Sequence, residues 1–160
     1  MEEPLLAYFA AEKQESLLFM LVGVVAVAAS AWLLVTGSHY KGMAYPLIAV
    51  AAIQMVVGST VYFRTDNQVA ALQAQYQQTP AMFKAEETKR MDVVVKNFKV
   101  YKWIEIALLA AGLLLVFIFR GHELWHAVGL GLGIQSALML AADLVAEHRA
   151  YEYLKFVAGT

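Results

Sequence analysis

Two long stretches without a single charge constrain this chain more than anything else in it. Ser16 to Ser38 and Gly42 to Phe63 contain no Asp, Glu, Lys or Arg, and each exceeds 20 residues. As helices rising about 1.5 Å per residue, both are long enough to cross a hydrocarbon core about 30 Å thick. Strands are a poor alternative, because neither run alternates and open strand edges have no partners in lipid. Two shorter runs follow, Ile106 to Phe119 and Ala127 to Ala142. Extended to 101–120 and 122–146, they reach membrane length once their end charges stretch to the headgroups. The expected fold is therefore an all-α integral membrane protein with one membrane domain. Its four transmembrane helices, about 16–38, 42–63, 101–120 and 122–146, form two hairpins in a bundle. A helical cytoplasmic segment, about 64–100, joins spans two and three.

Composition agrees. Of 160 residues, 61% are apolar and 16% charged, against roughly 25% charged in soluble domains, and the mean hydropathy is +0.58. A body this small has too much surface per volume to keep such a composition in water. The absence of Cys excludes a disulfide scaffold and thiolate metal sites, and a net charge of −1 argues against a globally basic nucleic-acid binder. A cleaved leader is not expected, although Ala28 to Ala31 offers small residues. Glu2, Glu3, Glu12 and Glu15 outweigh Lys13, the wrong sign for a signal sequence.

Lys and Arg set the expected orientation. Lys13, Arg64, Lys84, Lys89, Arg90, Lys96, Lys99, Lys102, Arg149 and Lys155 fall on one side, against Lys41 and Arg120 on the other. This bias puts both termini and the joining segment in the cytoplasm of a plasma (bacterial inner) membrane. Trp32 and Trp125 then belong to an outer aromatic belt, Tyr62 and Trp103 to an inner one.

Within the joining segment Asp66 is expected to cap a helix carrying Val69, Leu72 and Tyr76. Thr79-Pro80 breaks it, with Thr as cap and Pro at the first position of the next helix. From Pro80 a single helix is expected to run through the third span to Arg120. Its stripe of Met91, Val94, Val95, Phe98 and Tyr101 needs a cover. Helix 66–78, a second copy or another protein through residues 66–101, and anionic headgroups beneath its basic residues all remain open. Nucleic acid is not expected, since Glu86, Glu87 and Asp92 interrupt the positive charge.

The two hairpins share faint marks of duplication, with Glu15 and Glu105 each opening a span and Ile53-Gln54 matching Ile134-Gln135. Small residues predict close packing at Gly23 and Ser30, and at Gly129, Gly133 and Ala137 in a GxxxG register. They serve packing within the bundle or a homo-oligomer.

Three groups carry chemistry. His122-Glu123-Leu124-Trp125-His126 has H-E-x-x-H spacing and resembles the zinc-hydrolase motif, in which two His ligate metal and Glu acts as base. His39 lies on the same expected side, and zinc or a similar divalent ion is the cofactor such a set would take. No cofactor follows from the rest of the chain. On the cytoplasmic side Arg64, Glu105, Asp143 and Glu147 form an expected polar or ion-pair layer, with Lys102 paired to Glu105 and Arg64 facing Asp143. Gln54 and Gln135 are polar at mid-membrane depth, where hydrogen bonding between helices is their ordinary use.

The function expected from these features is non-catalytic: a small inner-membrane bundle acting through oligomerisation or through lipid and partner contacts. A metal-dependent protein built on the His cluster, and a proton or small-solute pathway through Gln54, Gln135 and Asp143, are the alternatives.

Overall fold

The computed structural model describes residues 2–159, with side chains from residue 3 onward. Four helices account for nearly all of it: α1 (Glu2–Val35), α2 (Ala44–Gln78), α3 (Pro80–Ile118) and α4 (Glu123–Ala158). A short 3-10 turn, Lys41–Met43, precedes α2. No strand occurs among the described residues. All four helices are long and apolar enough to cross a membrane. At 34 to 39 residues they run about 50–60 Å, longer than a hydrocarbon core by about 20–30 Å.

The break at residue 79 follows from proline chemistry. Thr79 is extended, φ −141°, and Pro80 takes the first position of α3, because Pro disfavours a helical residue before it and needs no N–H partner there. Thr79 makes no side-chain cap bond; its hydroxyl turns back to the Gln75 carbonyl at 3.4 Å. Asp66 corrects the sequence reading. It lies inside a continuous α2 rather than opening a new helix, and its carboxylate accepts from Lys13 Nζ at 2.7 and 2.6 Å. A second difference lies at the ends. Residues 2–15 and 147–158 continue α1 and α4 as helix, where the sequence reading assigned no structure.

The closest neighbours are α1 with α2 and α3 with α4. Gly23 lies against Ala51 and Met55, and Gly58 against the Ser16 carbonyl. A Cβ on Gly112 would stand 2.7 Å from the Gly133 nitrogen and 2.9 Å from the Gly129 carbonyl oxygen. In both pairs, numbers fall along one helix as they rise along the other. Helices α2 and α4 meet across the middle, where Gly131 abuts Met43 and Pro46. Helices α1 and α3 occupy opposite corners, without close backbone approach.

Side chains invert partway along the bundle. In the charged half (2–15, 64–102 and 147–158) Leu5, Tyr8, Phe9, Phe83, Met91, Val95, Tyr153 and Val157 are buried in one cluster. Tyr8 stacks on Tyr153 at 4.4 Å, and Tyr76 meets Phe83 edge-on at 5.4 Å. From Met91 to Phe98 the stripe is thus covered by α1 and α4 together with Leu72 and Tyr76 of α2, whereas Tyr101, its expected last member, is exposed. In the apolar half the buried residues are mostly small, including Gly23, Ala26, Ser30, Ala44, Ala51, Gly112, Ala127, Gly129 and Gly133. Large apolar side chains there point outward, among them Leu21, Val25, Trp32, Val56, Phe63, Trp103, Leu114 and Val145.

Candidate functional site

The junction between the two halves holds a layer of charged groups drawn from all four helices. Arg149 of α4 forks onto both carboxylate oxygens of Glu15 on α1, with Nη2–Oε2 at 2.5 Å. Arg64 of α2 reaches Glu12 of α1 at 3.5 Å. Lys102 of α3 binds Glu147 of α4 at 2.5 Å. Well inside the charged half, Glu87 is only 1% exposed and takes two bonds from Arg90, both 2.7 Å. Arg90 also lies over the Phe9 ring, and Arg149 over that of Tyr8.

Two pairings expected from sequence are replaced. Lys102 crosses to Glu147 instead of bonding Glu105, its neighbour one turn away. Arg64 turns to Glu12 instead of Asp143, because α1 extends below the apolar stretch and brings Glu12 beside it.

Burial governs ionisation in this layer. The Glu12 carboxyl is pushed above its ordinary value by burial, against the pull of Arg64, Arg90 and Arg149. Burial opposes the Arg90 charge, yet the two bonds to Glu87 more than offset it and hold its pKa up. The phenols of Tyr8 and Tyr153 are raised by burial first, then by Glu12 and Glu87 respectively. Both stay protonated, and the core remains free of phenolate charge.

Glu105 and Asp143 lie deeper, within the apolar half. Their carboxyl groups lie close enough to interact. Glu105 is 3% exposed, and its Oε2 has no hydrogen-bond partner. No Lys or Arg ion pair reaches either carboxyl among the described residues. Further up, Gln135 Nε2 donates to Gln54 Oε1 at 2.7 Å, with both side chains fully buried. Ser30 donates to the Ala26 carbonyl at 2.7 Å. Ala137, in GxxxG register with Gly129 and Gly133, is exposed.

At the opposite end the four candidate metal ligands are spread out. His39 Nδ1 lies 3.2 Å from Glu123, with both side chains largely in the open. His126 Nδ1 sits 3.1 Å from the Val116 carbonyl. His122 stands just before α4, exposed, with its ring near Phe119. Among the described residues no group of three His, Cys, Asp or Glu is placed to hold a metal ion.

Sequence reasoning missed Glu12, Glu15, Glu87 and Arg90. The signal for Glu87 was present: it sits four residues from both Phe83 and Met91, on the buried stripe itself. Tyr8, Phe9 and Glu12 carried a similar three-and-four spacing. Tyr153 had no signal short of knowing that α4 packs against α1.

The chain was compared with protein-family models, curated proteins and solved structures, and matches none of them.

Proposed function

We propose that this chain is a non-catalytic, four-span membrane protein that acts through contacts with lipid and with a protein partner or second copy. Its spans insert as two hairpins in a plasma (bacterial inner) membrane. Both termini and residues 64–100 lie in the cytoplasm, as the Lys and Arg bias argues. The observation that carries this reading is the inversion of side chains along one continuous bundle. Leu21, Val25, Val56 and Leu114 are exposed in the apolar half, while Phe9, Phe83 and Met91 are enclosed in the charged half. Outward-facing Leu and Val suit hydrocarbon, and a closed aromatic core with charged flanks suits water. The most direct test uses the Cys-free background. His39→Cys and Lys89→Cys should label with a membrane-impermeant maleimide from opposite sides of the membrane. Labelling from one side ends the four-span reading.

A second reading rests on the buried Glu105–Asp143 contact. Two carboxyl groups held together without a cation form a proton-binding arrangement, and Gln54 with Gln135 continues polar character deeper into the bundle. Under it, Asp143→Asn abolishes proton flux into vesicles containing the protein. Wild-type vesicles that carry no flux dispose of it.

A further inference from the structure

The charged half has an open cleft of about 460 Å³ between α2 and α3, lined by Arg64, Gln68, Glu86, Lys89, Arg90 and Val93. Four of these are hydrogen-bond donors converging from two helices. Their commitments differ. Arg90 is bound twice by Glu87, while Arg64 has one long contact to Glu12 and is 53% exposed. Among the described residues Lys89 makes no ion pair. The one acid on the wall, Glu86, accepts from Gln75, toward the α2–α3 turn and away from the apolar half. The end nearest the apolar half therefore presents donors alone. The half-buried Glu12 and the buried Glu87 behind these cations, with Glu86 at the far end, match Arg64, Lys89 and Arg90 charge for charge. The exposed donors of Lys89 and Arg64 can therefore hold one singly charged group, while a polyanion would find no net positive charge.

Position supplies the second argument. Arg64 is the first charge after the uncharged run ending at Phe63. On α3, Lys89, Val93, Lys96, Val100 and Trp103 fall on one helical face by spacing, and all are exposed. That face leads from the cleft to a Trp that is 70% exposed where the apolar half begins, through Val93 and Val100, exposed at 52% and 55%. A cationic cleft with an apolar, Trp-capped track beside it matches a phosphodiester joined to acyl chains.

We propose that this cleft binds the headgroup phosphate of an anionic phospholipid, with Arg64 and Lys89 as its principal ligands, Gln68 and Arg90 as further donors, and the acyl chains rising along Val100 and Trp103. This inference rests on the membrane-spanning reading above and names the lipid class it would meet.

The test uses full-length protein in mild detergent, with bound lipid read by native mass spectrometry. The probes are dioleoyl phosphatidylglycerol, dioleoyl phosphatidylcholine and water-soluble glycerol phosphate. Phosphatidylglycerol should be retained several-fold more than phosphatidylcholine, and glycerol phosphate should not be retained. Lys89→Glu, which disturbs none of the described ion pairs, should lower that retention several-fold, to the phosphatidylcholine level, and Arg64→Gln/Lys89→Gln should do the same. Lys84→Gln/Lys155→Gln, which removes the same charge away from the cleft, should leave retention unchanged. Equal retention of the two lipids overturns the proposal, as does an equal loss in the control variant. Retention of glycerol phosphate at the level of phosphatidylglycerol overturns the lipid assignment in favour of a soluble phosphate ester. If lipid selectivity is absent while His39→Cys and Lys89→Cys still label from opposite sides, the site fails and the four-span reading stands.

Discussion

The charged half of the bundle buries Phe9, Phe83, Met91, Tyr8 and Tyr153, while the apolar half, built from the same four helices, buries Gly112, Gly129, Gly133, Ala51 and Ser30. On the proposed membrane-spanning reading, the difference teaches what holds each half together. Where water surrounds the helices, removing large apolar side chains from it is the main driving force, so bulk belongs inside. Where hydrocarbon surrounds them, a Leu gains little by moving inward. Helices then associate by close backbone approach and by hydrogen bonds between side chains. Gly112 against Gly129 and Gly133 is the first device, and Gln135 to Gln54 is the second.

The contrast is sharpest for substitutions that remove bulk. Phe83→Ala should destabilise the protein by about 3–5 kcal/mol, because Phe83 is fully buried among Tyr76, Val157 and Met91. Val25→Ala, on the outward face of the apolar half, should change stability by less than about 0.5 kcal/mol. Thermal unfolding of both variants in the same detergent checks this, and similar losses from the two would erase the distinction between halves.

Adding bulk should reverse the ranking. Gly112→Val places its Cβ within 2.7 Å of the Gly133 backbone, and forcing α3 from α4 should cost roughly 1–3 kcal/mol. A neutral result at Gly112 would mean that close approach does not hold this half together.

Polar contacts come next in size. Gln54→Leu leaves Gln135 without its partner in the bundle interior and should cost about 0.6–1.7 kcal/mol. The double variant Gln54→Leu/Gln135→Leu should recover part of that loss, since no orphaned amide remains. Double-mutant additivity would show instead that the two residues act separately.

The smallest expected effect is a pH slope at the junction. Burial lifts the Glu12 pKa above its ordinary 4.5, so the folded chain holds this proton over a range where the unfolded chain has released it. Its contribution to stability therefore falls as pH rises from about 4.5 through the raised folded value. Glu12→Gln should flatten that fall in the pH dependence of the melting temperature. Curves for wild type and variant that stay parallel would place Glu12 in a more solvated setting.

Proline and uncharged length made several elements legible in advance. The stop at Thr79 and restart at Pro80 followed from local chemistry, and so did the unbroken run of α3 from Pro80 to Ile118. The start expected at Asp66 did not. Its carboxylate has a local use as a cap, but Lys13, 53 residues away, claims it. Residues 2–15 lack the uncharged length that marks a span, although they complete the aromatic core. Around the junction, Arg64, Lys102, Glu147 and Arg149, with Glu105 and Asp143 deeper in the bundle, were legible in the sequence, but not their partners on α1. Glu87 lay concealed on a stripe read from Met91 onward.

What the sequence by itself determined is the number of long helices, their helical character and the place of the α2–α3 break. These depend on uncharged length, on missing strand alternation and on proline, all of which are local. Only the tertiary structure decided which cations meet which acids, that α1 and α4 close over the Met91 stripe, and that Gln54 meets Gln135. Those outcomes depend on how each helix is rotated about its axis and where its ends stop against its neighbours. Large apolar groups on most faces of the apolar half leave that rotation unmarked. Close glycine contacts and a buried aromatic cluster fix it only once all four helices are present.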